Sequence, residues 1–306
     1  MGLNRRGIFL SLSAVLAIGV LFVVFAPTTQ RELVQESRVQ VQDTVARVTA
    51  LETQELGAWV TYITRQTLNE LAREPPLSDQ QSVPDLFRSR VLQFREMSPD
   101  QPGTHLDTLG EIEQFYREQF NYEGFSLSLT DISLRSGGFR SVLVTADFDV
   151  FLVDESNSLR IERTLQVQQL VPLEGLVDPL ALRLNAPHDR IRFAQRTIRT
   201  SDDFFEHART GTYVATNSSF PGIPYFERFK ANPQVSRTDS IHFLFPPGHF
   251  SETRSYVDYY PALQDPCVIG LQDPDDGAWI YLDALILPFY GIGGFSDLQT
   301  TVSDSC

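Results

Sequence analysis

The chain has 306 residues, 42% hydrophobic and 21% charged, enough apolar material for one or two packed domains and too much for wholesale disorder. Its 25 basic and 39 acidic residues leave a net charge of −14, which excludes a nucleic-acid binder with a basic face and a polybasic membrane-surface module. Two cysteines and two methionines offer little for redox or soft-metal chemistry.

Residues 1–7 form a basic leader carrying Arg5 and Arg6. Residues 8–26 then run 19 positions without a charge. As a helix that run spans about 28 Å, close to the hydrocarbon thickness of a bilayer. A cleaved secretory signal has a shorter apolar region, of about 7–15 residues, and a small-x-small exit. Here the only such exit is at Ala26, and Pro27 follows it directly. The expectation is a retained single-span anchor in the cell membrane. The positive-inside rule puts its short N-terminus in the cytoplasm and the remaining chain outside. No second apolar run is long enough to span; the stretch 278–290 is broken by Asp283 and Pro288.

Residues 28–74 repeat apolar positions at helical spacing, among them Val41, Val45, Val48, Leu56, Trp59, Val60, Ile63 and Leu71, and predict a helical spine. Gly57 interrupts its heptads. Glu74-Pro75-Pro76 stops it and opens a linker over 75–104, with a short helix predicted at 85–97.

Residues 105–200 read as an α+β head. Helical period returns over 106–120. Phe125, Leu127 and Leu129, then Val142, Val144, Ala146, Phe148 and Val150, then Ile161, Leu165 and Val167 alternate with mostly polar neighbours. Short connections predict an antiparallel meander with one buried face, covered by helix. The stretch 173–180 reads as loop and 189–199 as a strand.

Residues 201–306 read as an aromatic and proline-rich β subdomain. It begins with a helix at 201–209 capped by Ser201 and has strands at 241–245 and 279–287. The fold class expected is α+β: a long transmembrane-plus-spine helix, an antiparallel sheet head and a loop-rich β subdomain.

The leader ending Arg5-Arg6-Gly7, the apolar helix, its long continuation and the antiparallel sheet resemble the type IV pilin superfamily. The Arg-Gly junction is similar to the class III signal peptides of archaeal pilins and archaellins. That resemblance implies cleavage after Gly7, with Ile8 as the new N-terminus. Bacterial pilins carry a glutamate five residues into the mature helix, where this chain has Leu12-Ser13; the departure implies a minor or pilin-like role. The segments LVDPL (176–180) and FPGIPYFERF (220–229) are similar to parts of singly anchored archaeal membrane proteins.

Cys267 and Cys306 can pair outside the membrane, closing a loop of about 40 residues worth roughly 4 kcal/mol in the chain-entropy model. Two free thiols, or pairing between chains through Cys306, are the alternatives. Asn217-Ser218-Ser219 is an N-glycosylation sequon. Asp273-Pro274-Asp275-Asp276-Gly277 reads as a solvated acidic turn rather than a calcium loop, because the EF-hand spacing is absent.

The five histidines lack metal-site spacing, and no hydrolase, phosphate-loop or dinucleotide fingerprint occurs. No catalytic, cofactor or metal residue is therefore assigned. The aromatic set from Phe220 to Tyr260 reads as core, with a ligand groove as the other reading. The expected function is a non-enzymatic, membrane-anchored, pilin-like surface protein; the alternatives are an extracytoplasmic ligand-binding or sensing module and, third, an anchored hydrolase. Expected partners are membrane lipid along 8–26 and, through the N-terminal helix, a second copy of the chain or pilus subunits.

Overall fold

The computed structural model describes residues 42, 44, 46–94, 106–120, 122–154, 160–194, 200–215, 222–236, 238–245, 268–273, 275, 277–283 and 300–302. The run 8–26 lies outside them, and among the described residues no helix is long and apolar enough to cross a membrane. The architecture is mixed α+β with antiparallel sheets. The chain divides into two units at Glu55/Leu56. In the first, residues 46–50 are helical and Leu51–Glu55 form a π-helical turn.

The second unit opens with α1 (Leu56–Leu71), which buries Leu56, Trp59, Val60, Ile63, Thr64, Thr67, Leu68 and Leu71. These recur every three or four residues, so they form one stripe. The helix ends where Pro75 and Pro76 withdraw two amide donors. Helix α2 (Val83–Phe94) buries Val83, Phe87 and Val91, each four apart. Helix α3 (Leu106–Phe120) buries Leu109 and Tyr116.

All three helices lie on one face of the meander β1 (Tyr122–Ser136), β2 (Ser141–Asp154) and β3 (Arg160–Pro172), paired antiparallel in the order β1-β2-β3. Helix α1 sits over β2 and β3, where Trp59 meets Phe148 edge-on at 5.7 Å. Helices α2 and α3 sit over β1, where Tyr116 stacks on Phe125 at 5.2 Å. Val142, Val144, Ala146, Phe148, Val150 and Leu152 line the buried face of β2 without a break. In β1 the inward set is Phe125, Leu127, Leu129, then Ile132 and Leu134. A bulge between Leu129 and Asp131 inserts one residue and keeps both halves on the core side. Each large side chain buried this way contributes roughly 1.5–3 kcal/mol.

After β3 the chain turns into α4 (Pro179–Arg183), a one-turn helix where the sequence predicts loop. Of the strand expected over 189–199, the described residues 189–194 carry isolated bridges, Val177 to Arg190 and Phe193 to Tyr213. Helix α5 (Ser201–Thr210) matches the predicted helix, but its cap is Thr200 rather than Ser201. Two small antiparallel sheets follow. One has order β4 (Tyr213–Ala215), β6 (Ser240–Phe243), β5 (Ile223–Pro224); the other has order β8 (Trp279–Asp283), β7 (Val268–Gln272), β9 (Thr300–Val302). A 3₁₀ turn at Tyr225–Phe229 leads out of β5.

Candidate functional site

Asp178 precedes Pro179 and caps α4. Its Oδ1 accepts from the Leu180 and Ala181 amides at 2.9 and 3.3 Å. Proline at the first helical position needs no acceptor, so an Asp-Pro start suits so short a helix. The same carboxylate meets Arg228 from the 3₁₀ turn. Arg228 Nε donates to both oxygens at 2.9 Å, and Nη2 donates to Oδ2 at 2.5 Å. Tyr213 from β4 adds its hydroxyl at 2.5 Å. Both charged side chains are fully buried. Arg228 Nη1 reaches the Ile241 carbonyl at 3.3 Å, and its guanidinium lies over the Tyr213 ring at 5.6 Å.

Burial alone raises the Asp178 carboxyl. The Arg228 charge and the bonds from Arg228, Tyr213 and Ala181 outweigh it and hold the group below its ordinary 3.8. Burial first, and then the Asp178 charge, push the Tyr225 hydroxyl up, so it stays protonated. Burial, aided by the Arg228 charge, pushes the His242 imidazole down to about 3. His242 is therefore neutral at ordinary pH. Arg183 extends the cluster by donating to the Lys230 carbonyl at 2.7 Å and the Arg228 carbonyl at 2.8 Å.

Chemically this cluster is a closed latch. The carboxylate is saturated with donors and shielded from solvent, so it is no base for a substrate. It joins two segments 50 residues apart, the LVDPL turn and the YFERF turn. The sequence carries a signal for the Asp178 cap, the Asp-Pro pair, which a loop reading of 173–180 misses. No spacing rule points to Arg228 as its partner. An arginine inside a run that is aromatic apart from it and Glu227 is the available hint, since a charge in that setting must find a counter-charge to be buried, and Glu227 pairs with Lys230 instead.

A groove separate from the latch lies along the start of the 3₁₀ turn. Tyr225 and Phe226 from the 3₁₀ turn, with Ser136 and Ser141 at the β1–β2 hairpin, face Ser236, Thr238 and Asp239 across a cavity of about 200 Å³. Ser136 Oγ donates to Asp239 Oδ2 at 3.1 Å, and Ser141 Oγ donates to the Gly137 carbonyl at 2.9 Å. Ser236 Oγ accepts from the Thr238 amide at 3.2 Å and lies 3.2 Å from Thr238 Oγ1.

Gly7, Ile8, Asn217, Cys267 and Cys306 lie outside the described residues, as do His105 and His249. His207 Nδ1 meets Thr212 Oγ1 at 2.9 Å, and His242 is in β6. Among the described residues no three metal-binding side chains converge. The acidic turn corrects the solvated reading at one position. Asp273 is buried and ion-paired with Arg209 of α5, while its Oδ1 accepts from the Asp275 amide at 3.0 Å. Of the aromatic set, Tyr225, Phe229, Phe243 and Phe245 are core, as the first aromatic reading expects, Phe226 is half-buried at the groove, and Phe220, Phe250, Tyr256, Tyr259 and Tyr260 lie outside the described residues.

The chain matches no family model, no curated protein and no solved structure.

Proposed function

We propose that this chain is a non-enzymatic, membrane-anchored surface protein of pilin-like build, holding an α+β head outside the cell. The observation that carries the reading is the uncharged run 8–26 behind Arg5 and Arg6. A single span with positive charge on its short side orients the rest of the chain outward. The packing of α1 beneath an antiparallel meander supports the pilin-like part. The latch supports a structural role, because its buried charges are engaged in cohesion. The hydrolase reading gains no support from it.

Mass spectrometry of the mature N-terminus, with membrane fractionation, tests the proposal. Pelleting with the membrane and starting at Ile8 is the expected result. Pelleting with an intact Met1 or Gly2 removes the pilin-like processing and leaves a plain anchor. A soluble chain starting near Thr28 overturns the reading.

A second reading, an extracytoplasmic binding module, is favoured by the groove between the β1–β2 hairpin and Asp239.

A further inference from the structure

We infer that this groove binds a neutral polyhydroxylated ring, the size of one pyranose sugar. The inference rests on the binding-module reading and is independent of how the chain is anchored.

Size sets the first limit. At about 200 Å³ the cavity is smaller than the drug-sized range of about 300–1,000 Å³. It accommodates one ring rather than a chain or a peptide.

Charge sets the second. Among the described residues of the lining Asp239 is the one that carries a charge, and none is basic. A phosphate, sulfate or carboxylate ligand would meet repulsion without a counter-charge.

Hydrogen-bonding capacity sets the third. Ser136 and Ser141 give their protons to Asp239 and to the Gly137 carbonyl and keep lone pairs to offer, while Ser236 and Thr238 share one hydroxyl contact that leaves one of their two protons to donate. A carboxylate only accepts and has about four lone-pair directions. Asp239 Oδ2 already takes the Ser136 proton, and among the described residues Oδ1 carries no hydrogen bond. That oxygen is placed to accept from adjacent hydroxyls of a ligand. A neutral polyol offers the same mixture of donors and acceptors as this lining. An ammonium ion offers donors only and would leave the remaining proton of the Ser236–Thr238 hydroxyl pair without an acceptor.

Apolar contact is the fourth. Phe226, Val142 and Pro224 contribute non-polar walls, suited to the C–H face of a sugar ring. The polar groups are held before any ligand arrives. Ser136 Oγ accepts from the Gly138 amide at 3.2 Å, and Ser141 is tied to Gly137. Groups fixed in this way lose little freedom on binding.

The test uses the full chain in lipid nanodiscs, which avoids sugar-headed detergents. Methyl glucoside, methyl mannoside and methyl galactoside are titrated by saturation-transfer NMR, with methylammonium as the cationic probe. The expected result is millimolar binding of at least one glycoside, weakened about fivefold or more by Asp239→Asn and by Thr238→Val. Asparagine tolerates the left-handed backbone at Asp239, where φ is 51°. Hydrogen exchange in the unmodified chain supplies a readout free of variants: the glycoside is expected to protect residues 136–141 and 238–240. No glycoside binding, binding in both variants equal to that of the unmodified chain, protection elsewhere, or binding of methylammonium alone overturns the inference. None of these outcomes alters the mature N-terminus or the membrane fraction, so the anchor proposal stands or falls separately.

Discussion

Taking Asp178 and Arg228 out of water costs several kcal/mol per ion, and only their mutual attraction and a full set of hydrogen bonds offset that. The geometry supplies both, with five donor groups from four residues around one carboxylate. Asp178→Asn keeps an acceptor oxygen for the α4 amides, replaces the oxygen that Tyr213 donates to with an amino group, and leaves Arg228 charged and uncompensated. Urea denaturation at pH 7 is expected to show a loss of about 3–5 kcal/mol. The double variant Asp178→Asn, Arg228→Met is expected to lose less than the sum of the singles, because the second change removes the stranded charge. Additive losses would mean that the pair is not coupled. His242 gives the cluster a pH dependence. Its imidazole titrates near 3 in the folded chain and near its ordinary 6.5 when unfolded. The unfolded state therefore binds the extra proton first, and stability falls as pH drops from about 6.5 toward 3. Between pH 6.5 and 5 the Asp178 carboxyl, held below 3.8, stays ionised and contributes nothing to the slope. His242→Phe is expected to flatten stability across that window, read from melting temperatures at pH 7 and pH 5. At this scale the sequence is silent about pairing: the Asp-Pro start is a local signal, whereas the partner is chosen by the fold.

Period-two alternation made the meander legible, since each of its strands has one wet and one dry face. The bulge after Leu129 was not legible, because a slip of one residue in one strand reads as ordinary noise in the pattern. Gly57 is another element-scale case. What reads as a heptad defect is the place where α1 approaches β3, with Gln169 Nε2 occupying the space a Cβ would take. The ends of α5 follow from capping chemistry. Thr200 Oγ1 accepts from the Asp203 amide at 3.1 Å, and the Asp203 carboxylate accepts from the Thr200 amide at 3.2 Å. Both threonine and serine satisfy the rule for a cap, so the sequence could not choose between adjacent candidates. Thr200→Ala is expected to cost about 1 kcal/mol in thermal melts, and Ser201→Ala distinctly less. At the other end Gly211 has φ +62°, and a Cβ there would stand 3.3 Å from the Phe243 ring. Gly211→Ala is expected to destabilise by more than about 1 kcal/mol in the same assay, from strain and crowding together.

For the second unit as a whole, the decisive contacts run between side chains and backbone carbonyls or amides far away in sequence. Asn69 Oδ1 accepts from the Val177 amide at 2.8 Å, and Arg65 donates to the Pro172 and Glu174 carbonyls at 3.2 and 2.9 Å. Leu77 donates its amide to the Phe229 carbonyl at 2.9 Å and accepts from the Ala231 amide at 2.8 Å. Such stitches are illegible in sequence because every residue offers the same backbone groups. They are also what binds the meander layer to the latch layer, so the two are expected to open together. Asn69→Ala leaves the buried Val177 amide unsatisfied, at a cost of about 1–3 kcal/mol. If the unit is cooperative, native-state hydrogen exchange should accelerate by about the same factor, roughly tenfold per 1.4 kcal/mol, in the β2 amides and in the β6 amides. Acceleration confined to β6 and its neighbours would instead make the latch layer a separate, weaker folding unit resting on an independent sheet.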